Sequence, residues 1–431
     1  MKHMKRILSV LLLISLLPLL PLTTAAEGEA GGTPTPKTVY VSSSGDNATA
    51  AVGDKTKPYA DFLTAYGQLT QTGGTVVLLD DVTIDLTTNE YKAVDSAHRF
   101  KLPASEKGIA ICGTKQEDGQ YSKLIFTNSV GICVELQGNL TLHDLVIEFA
   151  LKGNLWFAAN GYSLTIGFRF SHNLKGGTAE ITGGAQSIGA NIEMNTKSGP
   201  VISIYSGSWN RVMAGPFCSK DLTQAATIML FGGTMTSVTT VRSGKNSSSA
   251  QAAMKASTDF HYYGGSPAVI KAFGKEATLH LYNGMTIASD KTDIAEANIV
   301  THAEESLPAP AYALNFYGTQ VTAVNGQGKY SVRFVGTLHS TDYSAVGLLI
   351  RTASQTYGGC CEKVYTSILG DFDRYTAEAL GGNYLFAWTI QNIPADAGAV
   401  TFTVTPFLAV GDTVWYGQEK SVTYQAGILQ Q

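Results

Sequence analysis

The chain has 431 residues, 45 of them glycine, and only 15% of its side chains are charged, 34 acidic against 30 basic. Without Lys2, Lys5 and Arg6 at the N-terminus, 27 basic residues face 34 acidic ones, a balance that argues against nucleic acid and against an acidic membrane face as partners. The glycines follow no collagen period, and the length allows two or three domains.

The first residues divide as a secretory signal does. Basic Met1-Lys2-His3-Met4-Lys5-Arg6 precedes an apolar run from Ile7 to Leu22, and Thr24-Ala25-Ala26 offers small residues for cleavage. Residues 1–26 are therefore expected to be a signal peptide, which makes the protein secreted or displayed at a cell surface. The apolar run holds Pro18 and Pro21 and falls short of the roughly 20 residues of a membrane span. No later stretch is apolar enough to be one, so no transmembrane segment is expected after cleavage. Residues 27–37 read as a flexible leader.

A first strand is expected at Thr38–Ser42, then a polar loop to Lys57 and one amphipathic helix with Phe62, Tyr66 and Leu69 on its apolar face. Gly73-Gly74 ends it, and Thr75-Val76-Val77-Leu78-Leu79 follows as a compact strand. To about residue 290 the pattern is short strands closed by glycine: Ala179–Gly184, Ile202–Gly207, Ile228–Gly233 and Leu279–Gly284. Their final glycines lie 23, 26 and 51 residues apart, with Tyr262-Tyr263-Gly264-Gly265 filling the long interval. A strand of four or five residues buries no face alone, whereas copies stacked about 4.8 Å apart enclose a continuous apolar interior. The pattern predicts an all-β fold, a parallel β-helix over residues 38–300.

The opening Val39-Tyr40-Val41-Ser42-Ser43-Ser44-Gly45-Asp46, then Lys57-Pro58-Tyr59-Ala60, the helix and Gly73-Gly74-Thr75-Val76-Val77-Leu78-Leu79 resemble the start of secreted pectate-lyase-like β-helix proteins. The resemblance implies a right-handed coil over residues 38–300 whose lower end the helix caps. It leaves activity open, because that superfamily contains lyases, hydrolases, epimerases, tailspikes and non-enzymatic adhesins. In a lyase it would imply Ca2+ held by clustered carboxylates, with Arg or Lys as base.

Residues 301–312 read as a linker, and the longer alternating strands of 313–431 as a C-terminal β-sandwich. Cys112 and Cys133, 21 residues apart, would stack in neighbouring coils, bonded or, preferably, as two small buried side chains. With no CxxC and no histidines at ligand spacing, neither a metal nor another cofactor is expected.

No catalytic constellation stands out. Asp80 and Asp81 follow a strand, and His143 and Asp144 interrupt another, where carboxylates commonly serve turn backbone. If the protein is an enzyme, the candidates are Glu148, Arg169, Glu180, Glu193 and Arg211, since two carboxylates about 5–9 Å apart permit glycoside hydrolysis. Trp156, Tyr205, Trp209, Tyr262, Tyr263 and Tyr282 are candidates for a glycan-binding ladder, with interior stacking as the competing role. The expectation is an extracellular glycan-associated binding or adhesion protein. A polysaccharide lyase or glycosidase, and a structural cell-envelope spacer, are the alternatives.

Overall fold

The computed structural model describes residues 37–88, 99–105, 107–127, 131–185, 195–217, 220–242, 252–324, 328–361, 384–394, 396–425 and 428–430. The expected signal peptide, nearly all of the expected leader and Glu193 lie outside them. About half of the described residues are strand, with one short α-helix, Phe62–Gly67, and no helix among them is long and apolar enough to cross a membrane. The chain forms two compact units that divide between Glu305 and Ser306.

The first unit consists of parallel sheets of ten, eight and four strands. The chain visits them in rotation: Leu140–His143 lies in the ten-stranded sheet, Leu145–Phe149 in the four-stranded and Asn154–Ala158 in the eight-stranded, before Leu164–Ile166 pairs beside Leu140–His143. Register then aligns like residues. Ile109, Leu140, Leu164, Ile202, Ile228, Phe260 and Leu279 occupy one row, none more than 2% exposed. Burying a side chain of this size contributes about 1.5–3 kcal/mol, which is what holds the stack. The next row, pointing the other way, reads Ala110, Thr141, Thr165, Ser203, Met229, His261 and His280.

Corners between the walls need unusual backbone. Gly207 and Gly233 turn at φ 92° and 78°, and Asp144 and Arg169 adopt φ 49° and 55° at equivalent corners of successive turns. Other glycines answer to crowding: a Cβ on Gly199 would sit 1.6 Å from the carbonyl oxygen of Ala225. At the N-terminal end, the Asp61 carboxylate caps the helix by accepting from the Thr64 N–H at 2.6 Å. Phe62, Tyr66 and Leu69 are all buried, as the helical spacing predicts.

Three expectations change. Ala179–Thr182 belongs to the eight-stranded sheet and Val201–Ile204 to the ten-stranded one, so the 23-residue interval joins two walls and is not one turn. True in-register steps run Ile204 to Leu230, Tyr262 and Leu281, that is 26, 32 and 19 residues. Cys112 and Cys133 are both buried and not joined by a disulfide, but they lie in different sheets: Cys112 is the register partner of His143, and Cys133 that of Trp156. The expected linker is also partly strand, because Ile299–Thr301 closes the ten-stranded sheet and Leu307–Pro308 already pairs with Thr413–Tyr416.

In the second unit, Val400–Val410, Ala345–Arg351, Thr356–Cys360, Thr413–Tyr416, Lys420–Gln425 and Ile428–Gln430 form an antiparallel sheet, joined by the Leu307–Pro308 pair. Leu314–Val324, Lys329–Leu338 and Tyr384–Pro394 form a second. Phe334 of one meets Phe402 of the other edge to face at 5.3 Å, both buried.

Candidate functional site

Near the N-terminal end of the first unit, the loops leaving three successive turns converge on a polar cleft of about 350 Å3. Ser43 follows the first strand, Lys37–Val41; Asp80 and Asp81 follow Gly74–Leu78; Gln116, Asp118, Gln120 and Tyr121 follow Ile109–Gly113, with Lys123 beyond. The third loop is a hairpin. Gln116 and Gln120 bond through backbone at 2.7 Å, Gly119 turns at φ 81°, and the Asp118 carboxylate accepts from the Gln120 N–H at 2.9 Å.

Every carboxylate of the cleft is fixed by neutral donors. Asp80 accepts the Ser42 hydroxyl at 2.6 Å and the Ser43 N–H at 2.7 Å, while Asp81 accepts the Lys123 N–H at 2.9 Å. The sequence suggests local turn carboxylates, whereas these bonds reach residues 37 to 42 positions away and tie one turn to another; an ionised carboxylate offers about four lone-pair sites, and these bonds use only some of them. Gln116 donates its amide to the Leu79 carbonyl at 3.1 Å and to the Ser122 hydroxyl at 2.6 Å, which aims its carboxamide. One face of Tyr121 is met by the Arg169 guanidinium, 5.8 Å from the ring centre. The result is a cleft lined by three carboxylates, two amides, one phenol and one ammonium, the last paired with Glu148.

Among the described residues, the charged candidates do not form one cluster, although Glu180 and Arg211 pair with each other. Glu148 pairs with Lys123 and Lys175, each at 3.4 Å, and Glu180 pairs with Arg211 at 3.7 Å on a different sheet. Burial pushes the Glu148 carboxyl up, but the two ammonium groups together outweigh it and hold it below the usual range. Arg169 turns to the buried Asp144 carboxylate, which also bonds His143 Nδ1 at 2.8 Å. Glu193 lies outside the described residues.

Of the aromatic candidates, Trp209 is 2% exposed and stacks on Phe170 at 5.7 Å, which makes it interior. Tyr262 falls in an inward row, its hydroxyl donating to the Gly265 carbonyl. Trp156 lies half-buried on the eight-stranded sheet between Cys133 and Glu180. Tyr205, Tyr263 and Tyr282 do assemble, in a column with Phe231 and His302, at 4.4, 4.8, 3.9 and 4.3 Å between successive rings. Those rings spend their faces on one another, so the column presents edges rather than stacking platforms. Burial pushes the Tyr205 and Tyr263 phenols up and, with the neighbouring imidazoles, holds His261 and His280 below the ordinary histidine range.

Sequence reasoning missed Gln116, Asp118, Gln120 and Tyr121. The one available signal was the run Asp118-Gly119-Gln120-Tyr121, a turn dipeptide followed by an amide and an aromatic. Compared with protein-family models, with curated proteins and with solved structures, the chain finds no match.

Proposed function

We propose that this is an exported glycan-associated binding protein, built as a right-handed parallel β-helix with a C-terminal β-sandwich. The rotation of the chain through three parallel sheets supports the coil, and two antiparallel sheets facing through Phe334 and Phe402 support the sandwich. The cleft bounded by Asp80, Asp81, Gln116, Asp118, Gln120, Tyr121 and Lys123 carries the functional reading. Its volume accommodates a sugar ring, and its carboxylates and amides are pre-positioned for hydroxyls. Because the side chains are already anchored, little ordering is needed on binding.

Three carboxylates in one cleft also support a second reading, cleavage of a polysaccharide by paired acids. A glycan array with analysis of products separates the two. Binding that is lost in Gln116→Ala and Tyr121→Ala, with the polymer left intact, is the expected result. New reducing or unsaturated ends would transfer the assignment to the enzyme, and binding insensitive to both substitutions would remove the cleft from either.

A further inference from the structure

The far end of the ten-stranded sheet holds a histidine cluster that the glycan reading leaves unused. His261 and His280 are register partners on adjacent strands, their rings nearly parallel at 4.6 Å. His302 follows the last strand, tilts by 35° to His280, and brings its Nε2 to 3.0 Å from His280 Nδ1. Its other nitrogen, Nδ1, faces the Glu305 carboxylate at 3.9 Å. Glu305 is itself anchored, its backbone N–H donating to Asn283 Oδ1 at 2.9 Å. A carboxylate beside Nδ1 favours the tautomer with the proton there and leaves the Nε2 lone pair aimed at His280. Tyr282 stacks on His302 at 4.3 Å and bonds His261 Nδ1 at 2.9 Å through its hydroxyl, which fixes the plane of the His302 ring.

We propose that His280 Nδ1 and His302 Nε2 form a two-imidazole chelate for a divalent transition metal, copper(II) before zinc, with water completing the coordination. Two nitrogens bound at about 2.0 Å lie roughly 2.8 Å apart when cis on a tetragonal ion and roughly 3.3 Å apart on a tetrahedral one. The observed 3.0 Å falls between the two values, and copper(II) stands highest in the divalent affinity series. The ion replaces the shared N–H···N hydrogen bond: His280 carries its proton on Nε2, His302 on Nδ1, and neither ring becomes charged. The His302 side chain is 28% exposed, so the ion reaches the pair from solvent.

Copper(II) titrated into the purified chain, followed by electron paramagnetic resonance, tests this directly. The expected spectrum has nitrogen hyperfine structure from two imidazoles at one ion per chain. His280→Ala and His302→Ala each weaken binding by at least about tenfold and leave a single nitrogen, whereas His172→Ala changes neither. Since a substitution can disturb the coil, the unaltered protein supplies a second readout: copper shields His280 and His302 from acylation by diethyl pyrocarbonate and leaves His172 reactive. Absence of stoichiometric binding, or protection at other histidines, overturns the assignment and leaves the glycan cleft at the opposite end of the sheet untouched.

Discussion

Shortening Ile228 to alanine tests the stacking most directly, because its neighbour in sequence supplies the control. Ile228 is fully buried between Ile202 and Phe260, whereas Met229 points outward between Ser203 and His261. Ile228→Ala removes three carbons at about 0.8 kcal/mol each, and the cavity left in a row that cannot collapse raises the total to about 3–4 kcal/mol. Met229→Ala leaves no closed cavity and costs about 1 kcal/mol or less. Urea denaturation gives the totals, and hydrogen exchange of individual peptides gives the location. In a stacked array the loss falls on nearest neighbours, so protection drops first in Val201–Ile204 and Thr258–Tyr262. Equal costs for the two substitutions would refute the inward and outward assignment, and with it the register of the whole sheet.

Gly199→Ala forces a methyl group against the Ala225 carbonyl and is expected to destabilise the first unit by about 3 kcal/mol, read as a lowered midpoint in urea. Asp80→Ala strips the Ser42 hydroxyl and the Ser43 N–H of their acceptor; a fall of about 1–3 kcal/mol, with loosened exchange in the loop after the first strand, is the expected signature. Glu148 gives a pH test. Its folded pKa is depressed, so its stabilisation is present above the unfolded value of about 4.3 and is lost as pH falls through the folded one. Glu148→Gln therefore flattens the acid limb of the stability curve, by under about 1 kcal/mol because solvent screens the pairs. No change in that limb would mean that Lys123 and Lys175 do not hold the carboxylate.

The alternation of Ile228 with Leu230 and of Leu279 with Leu281 made the strands legible, and the Phe62–Tyr66–Leu69 face made the helix legible. What the pattern could not say is which wall a strand occupies. All three walls put an apolar residue inward at every second position and end on a sharp corner, so Ala179–Gly184 and Ile202–Gly207 look alike although they belong to different sheets. The ring column escaped for a related reason: its members recur at 26, 32, 19 and 20 residues and align only once hydrogen bonding sets the register. The cleft was harder still. Asp80 and Asp81 look like local turn carboxylates in the sequence, but Asp80 bonds back to Ser42 and Ser43 and Asp81 forward to Lys123, and their cleft neighbours come from the next turn.

The four-stranded wall ends at Phe170–Asn173 while its two companions continue. A parallel sheet that stops leaves a row of unpaired peptide groups, the kind of surface on which another chain can be recruited and fibres begin. Here Trp209 lies flat on Phe170 with an 8° tilt, the Ser206 hydroxyl accepts the Phe170 N–H at 3.0 Å, and His172 Nε2 meets the Ser208 carbonyl at 2.6 Å. Gly207 leaves room for the indole, since a Cβ there would lie 2.8 Å from Trp209 Nε1. Among the described residues, one indole and two side-chain hydrogen bonds thus cover the last strand of this sheet. The first unit passes from three sheets to two with the end of the shortest one covered by its own side chains.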